Sequence, residues 1–204
     1  MENVFAWWVA STLLGLLAVP YAFATFTRLP DRGVAFARPF GLLLTTYLMW
    51  VASIDGLIPN GRGAAMLAAL VLALGGLALY RRNRPELQAF VRANLRTFAL
   101  YEAVFFVSFV AWAVIRAYNP QLDSTEKPMD LAMLTSTTRS LAMPPLDPWL
   151  SGFTVNYYYF GYLLMAVLNH LAGTAPYVGF NLALAFLFSS AAVAVMRSEE
   201  HTSE

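Results

Sequence analysis

Cysteine is absent from this 204-residue chain, so neither a disulfide framework nor a thiolate metal site is available to it, and the redox compartment stays open. Charge is scarce as well: Asp, Glu, Lys and Arg make up 12% of residues and nearly cancel, to a formal +1 at pH 7. The basic residues are spread among short connectors, and no stripe of the kind that holds nucleic acid is formed. A P-loop, HExxH, GxSxG and Gly-rich nucleotide motifs are missing too. The recognisable signatures of ATP hydrolysis, zinc proteolysis and serine hydrolysis go with them. What fills the chain instead is apolar surface: 59% of residues are hydrophobic and the mean hydropathy is +0.57. No soluble domain of this size hides so much, so the composition predicts an all-α polytopic membrane protein.

Six apolar stretches read as spans, at about 4–26, 40–57, 64–80, 97–118, 157–172 and 177–196, since about 20 apolar residues cross a hydrocarbon core of about 30 Å. Glu2 and no Lys or Arg precede the first, which therefore lacks the basic start of a signal peptide. Pro20 predicts a kink near its end. Between the third and fourth spans, Leu87, Phe90, Val91 and Leu95 recur at helical spacing among five arginines, the pattern of an interfacial amphipathic helix. No internal sequence repeat relates the spans.

Orientation follows from the arginines. The connectors after the first and third spans carry Arg28, Arg32, Arg38, Arg81, Arg82, Arg84, Arg92 and Arg96. The connector after the second span and the loop after the fourth carry only Arg62, Lys127 and Arg139. The positive-inside rule puts the first set in the cytoplasm, with the N-terminus and the loop 119–156 outside a cell membrane.

That loop holds Asp123, Glu126, Asp130 and Asp147, four of the twelve acidic residues of the chain. Loops of this length between two spans are uncommon and usually functional or disordered, and its Met, Leu and Trp content argues against disorder. Pro128 suits the start of a short helix and Pro144-Pro145 its end. Leu131, Leu134 and Leu141 would let this helix lie flat on the outer membrane surface. Asp130 then sits in the first turn, where the helix dipole stabilises a carboxylate. With Glu126 it also forms a candidate catalytic pair, one acid taking a proton from an acceptor hydroxyl and the other orienting substrate or holding a divalent metal ion. Both readings stay open. Asp147 before Pro148 is most simply a turn former. Trp149, Tyr157, Tyr158 and Tyr159 fit an interfacial aromatic belt or a platform for a sugar ring or isoprenoid chain. On a helix the three tyrosines would point about 100° apart, so no more than two line one cleft.

The segments EKPMD at 126–130, PPLDPW at 144–149 and NYYYFGY at 156–162, in this order, resemble the YYY-domain family of bacterial and archaeal polytopic membrane proteins. The resemblance covers about 94–173. It implies kinship with the GT-C superfamily of membrane glycosyltransferases, which take sugars from polyprenyl-phosphate donors and keep catalytic carboxylates in an outward loop. The role it implies for Glu126 or Asp130 is base or metal-associated acid. The acidic loop of that superfamily follows the first span, whereas here it follows the fourth.

Near the loop, Asp55 closes the second span and Arg116 the fourth. Arg116 is placed to snorkel or to meet a lipid-linked phosphate, and Asp55 to reach the loop site. Glu102 lies about a turn inside the fourth span, where a neighbouring helix or Arg96 would pair with it. Asn169 and His170 fall at the cytoplasmic end of the fifth. The expected activity is sugar transfer from a polyprenyl-phosphate carrier in the membrane lipid to an acceptor on the outer face. A transporter and a non-catalytic assembly component are the alternatives. The tail RSEEHTSE, 197–204, breaks abruptly from the apolar run before it and matches the translation of a common sequencing-library adapter. The natural chain is therefore expected to continue past Met196 into further spans, and the fragment to be inactive by itself.

Overall fold

The computed structural model describes residues 1–200, and side chains as far as Ser198. The last four residues of the adapter-like tail lie outside that range. Among the described residues the chain forms eight α-helices, one turn of 3-10 helix and no strand. Five helices are long and apolar enough to cross a membrane: α1 (Glu2–Thr25), α2 (Ala37–Ile54, led by the 3-10 turn Val34–Phe36), α3 (Arg62–Arg82), α5 (Leu95–Tyr118) and α8 (Pro176–Glu200). The amphipathic α4 (Arg84–Ala93) joins α3 to α5, and the loop carries α6 (Lys127–Arg139). The all-α polytopic architecture is the one the composition requires.

Small residues set the tight crossings. A Cβ on Gly41 of α2 would run into the Leu14 carbonyl and Ala18 of α1, and one on Gly76 of α3 would press on the Leu17 carbonyl. Tyr21 of α1 donates its hydroxyl to the Leu72 carbonyl of α3 at 2.8 Å. Trp7, Leu42, Met49, Phe105, Phe109 and Phe186 fill the centre. Phe105 and Phe109 stack along α5, and Phe186 of α8 meets Phe105 edge-on. α2 begins three residues earlier than the apolar run suggested, so Arg38 belongs to its first turn and not to the connector.

The stretch expected as the fifth span, 157–172, is helical only as α7 (Phe160–Ala172). Thirteen residues of helix reach about 20 Å, short of a core about 30 Å thick. Its surroundings explain the shortness. Early in α8, Asn181 accepts a hydrogen bond from Arg116 Nε at 2.8 Å, at the C-terminal end of α5. Late in α8, Arg197 Nε donates to Asp31 Oδ1 at 3.0 Å, beside the turn before α2. α8 is thus antiparallel to α5 and starts on the face where the long loop lies. Since Ala172 ends α7 only four positions before α8 begins, α7 enters and leaves on that same loop face. Leu163, Ala166, Val167 and Leu168 are fully buried, wedged among α1, α2, α3, α6 and α8. Asn169 and His170 consequently lie in the loop-face half of the bundle and not at its opposite end. The opposite side, with Arg28, Arg32 and α4, is the arginine-rich face.

Candidate functional site

α6 turns one carboxylate, Asp130, toward the bundle and leaves a second, Glu126, exposed at its rim. Thr125 takes a left-handed backbone (φ +58), rare for a β-branched residue, and swings the chain into a helix whose N-cap is Glu126 and whose second residue is Pro128. Residues four and seven apart share a helix face, so Glu126 and Asp130 continue the stripe of Met133, Leu134 and Thr137 that is buried against α7 and α8. This corrects the expectation of a helix lying on lipid: the apolar stripe of α6 covers α7, and Leu141 lies beyond the helix, exposed. Asn60, between α2 and α3, locks the other end by donating Nδ2 to the carbonyls of Thr137 (2.9 Å) and Ser140 (2.6 Å).

At the N-terminal end of that seam, Tyr162 in the first turn of α7 donates its hydroxyl to Asp130 Oδ1 at 2.5 Å. Burial, then the bond to Asp130, raise the Tyr162 phenol above its ordinary range, and the charges of Asp130, Tyr157 and Glu126 add to the rise. The phenol therefore stays protonated and remains a donor. Among the described residues Asp130 Oδ2 has no hydrogen-bond partner, so one carboxylate oxygen stays open. Glu126 is exposed at the rim. Tyr162 was not singled out from the sequence, although it is the fourth tyrosine of NYYYFGY; its partner lies 32 residues away and no local spacing reports that.

The three tyrosines do not share a helix: Tyr159 is the N-cap of α7 and the other two precede it. Tyr159 turns inward, its oxygen accepting from Trp50 Nε1 at 2.8 Å, while Trp50 meets Phe160 edge-on. Tyr157 and Tyr158 face out, edge to face at 5.1 Å, with Tyr158 84% exposed.

Other candidates lie apart from this pair. Asp147 sits across α6, where a pocket of about 570 Å³ opens between the outer side of the helix and the proline-rich turn, lined by Leu131, Thr135, Ser136, Arg139 and Leu146 as well. Asp147 Oδ1 accepts the amides of Trp149 (2.8 Å) and Leu150 (2.9 Å), the behaviour of a turn former. Trp149 is exposed. Arg116 is tied to Asn181 and directed at the Gln121 carbonyl (3.5 Å). Asp55 is the exposed C-cap of α2; its backbone N–H donates to the Val51 carbonyl, and its carboxylate has no hydrogen-bond partner among the described residues. No three His, Cys, Asp or Glu side chains converge among the described residues. Glu126 and Asp130 thus provide two carboxylates and no protein cage, a donor set that fits Mg²⁺ completing its shell with water and phosphate.

The chain belongs to the family described as uncharacterized membrane protein, DUF2298, which matches residues 44–199, more than half its length. No curated protein and no solved structure matches it.

Proposed function

We propose that this member of the family is a GT-C-like membrane glycosyltransferase, or the part of one that carries the acidic loop. It would move a sugar from a polyprenyl-phosphate donor to an acceptor at the loop face, with that face outside the cell membrane. The observation that carries the reading is the placement of Asp130: a carboxylate held by a neutral phenol at the mouth of the helical bundle, with one oxygen free and Glu126 a turn away. Such a group can take the proton from an acceptor hydroxyl as that oxygen attacks the anomeric carbon and the lipid phosphate departs. Glu126 orients the acceptor. A divalent ion, held by the two carboxylates, would supply charge neutralisation at the leaving phosphate. Tyr157, Tyr158 and Trp149 offer exposed rings to sugar or isoprenoid, and Arg116 a guanidinium to phosphate.

The test uses membranes containing the complete natural protein, incubated with radiolabelled polyprenyl-phosphate sugars. Labelled product is expected, and Asp130→Asn should lower it by about 10²-fold or more at equal protein level. A second reading has its own observation: the Tyr162–Asp130 bond joins α6 to α7, so Asp130 would be a latch in a non-catalytic assembly component. Under that reading Asp130→Asn lowers abundance while leaving the labelled product per molecule unchanged.

A further inference from the structure

A cleft of about 570 Å³ lies on the other side of the bundle, toward the arginine-rich face, between α1, α2 and the α4–α5 elbow. Leu16, Val19, Leu87, Val91, Leu95 and Phe98 make it apolar. Leu16 and Leu95 are 62% and 61% exposed, so it opens sideways onto the lipid-facing perimeter. Its inner wall is polar: Arg38 pairs with Glu102, Glu102 also accepts Trp8 Nε1 at 2.9 Å, and Arg38 Nε has no acceptor among the described residues. Its rim carries Arg92, and Gln88 hydrogen-bonded to Tyr80 at 2.7 Å.

We infer that this cleft binds an anionic phospholipid of the leaflet next to the arginine-rich face, one acyl chain lying in the cleft and the phosphate at Arg92. Three observations single out this occupant. An apolar slot open to the bilayer side fills with hydrocarbon, because an empty one forfeits dispersion contacts along its whole lining. The segment 81–96 carries five arginines against Glu86 alone, and none of the five is in a salt bridge among the described residues. Basic pockets between membrane helices are where anionic headgroups seat. A chain without the headgroup would leave Arg92 unpaired, and a headgroup without the chain would leave the slot empty. The site is remote from Asp130, and its occupancy does not depend on any transferase activity.

The test is lipid retention by the purified protein in a neutral detergent, supplied with equal amounts of phosphatidylglycerol and phosphatidylcholine of the same chains and read by native mass spectrometry. Phosphatidylglycerol should be retained in preference. Arg92→Gln should cut that preference about five-fold, the worth of one arginine at an anionic headgroup. Arg81→Gln, equal in charge change but off the cleft, should leave it unchanged. Leu16→Trp, which fills the mouth, should reduce retention of both lipids. Soluble glycerol 3-phosphate should displace neither. The inference is overturned by equal retention of the two lipids in the unaltered protein. An equal effect of Arg92→Gln and Arg81→Gln would reduce it to diffuse surface attraction, and displacement by glycerol 3-phosphate to a phosphate site with no chain. Arg92 is exposed, so the variant folds; unchanged lipid-free melting temperature verifies that in the same sample.

Discussion

Asp130 on the loop face and Glu102 toward the arginine-rich face are both carboxylates drawn against neighbouring helices, and they are held by different means. Glu102 is engaged by the Arg38 guanidinium and the Trp8 indole, which bridge α1, α2 and α5, with Arg38 further seated 4.0 Å over the Phe105 ring. Asp130 is engaged by a neutral phenol on one oxygen only. A carboxylate neutralised by a cation inside a bundle serves cohesion, since its charge and its lone pairs are already spoken for. A carboxylate tied by one neutral donor keeps an open oxygen, which is what proton transfer needs. The same residue chemistry thus gives a brace on one face and a candidate base on the other.

The largest effect expected from this comparison is all-or-none. Because the chain has no cysteine, single cysteines label cleanly. Ser151→Cys, exposed in the proline-rich turn, should react with a membrane-impermeant thiol reagent on intact cells, and Ala93→Cys, exposed at the end of α4, should not. The opposite pattern would turn the protein over and place Asp130 in the cytoplasm, ending the proposed use of an outward donor.

Next comes Glu102→Gln, which orphans the Arg38 charge. Orphaning a fully buried charge costs about 3–5 kcal/mol. Glu102 is 39% exposed against 14% for Arg38, so part of that cost is relieved by solvent. A lower melting temperature with unchanged transfer per folded molecule is the expected result. Loss of transfer at unchanged stability would mean that the brace and the candidate base are not separate devices.

How far this contrast could be seen in the sequence differs by element. The five long helices were visible because each carries a long uninterrupted apolar window, and nothing but a helix satisfies its own backbone in lipid. α7 was not, because apolar character reports burial without saying whether lipid or protein does the burying; here its neighbours bury it. Glu126 and Asp130 fall on one helix face by spacing alone, so that placement was legible. Tyr162 and Arg38 were not: their partners are 32 and 64 residues away, and only the packing of α6 on α7, and of α2 and α5 against α1, brings them together. Asp147 read as a turn former and behaves as one.

Tyr162→Phe addresses the candidate base more gently. It keeps the ring against α6 and deletes one charge-assisted hydrogen bond, worth about 1.5–3 kcal/mol. The sign of its pH dependence is fixed by the raised phenol: the folded state holds the proton more tightly than the unfolded chain does. The contribution is therefore complete below the ordinary tyrosine value of 10.0 and is lost as pH climbs above it. Unfolding midpoints of the unaltered protein and of Tyr162→Phe should differ at neutral pH and converge in alkali. A constant difference at all pH values would show that the hydroxyl is not what holds Asp130.

The smallest effect is expected at Asp147, where the same Asp→Asn exchange meets a different environment. The retained side-chain oxygen of Asn still accepts the Trp149 and Leu150 amides that Asp147 Oδ1 holds now, so the turn survives. Substitutions of that kind, away from the core, stay within about 0.5 kcal/mol. Transfer activity should stay level too, because Asp147 opens into the pocket behind α6, across the helix from Asp130. Asp130→Asn and Asp147→Asn, assayed side by side, therefore test position at constant chemistry. If Asp147→Asn abolished transfer while Asp130→Asn spared it, the reacting groups would have to meet in the pocket of Arg139 and Ser136, and the seam between α6 and α7 would be a latch.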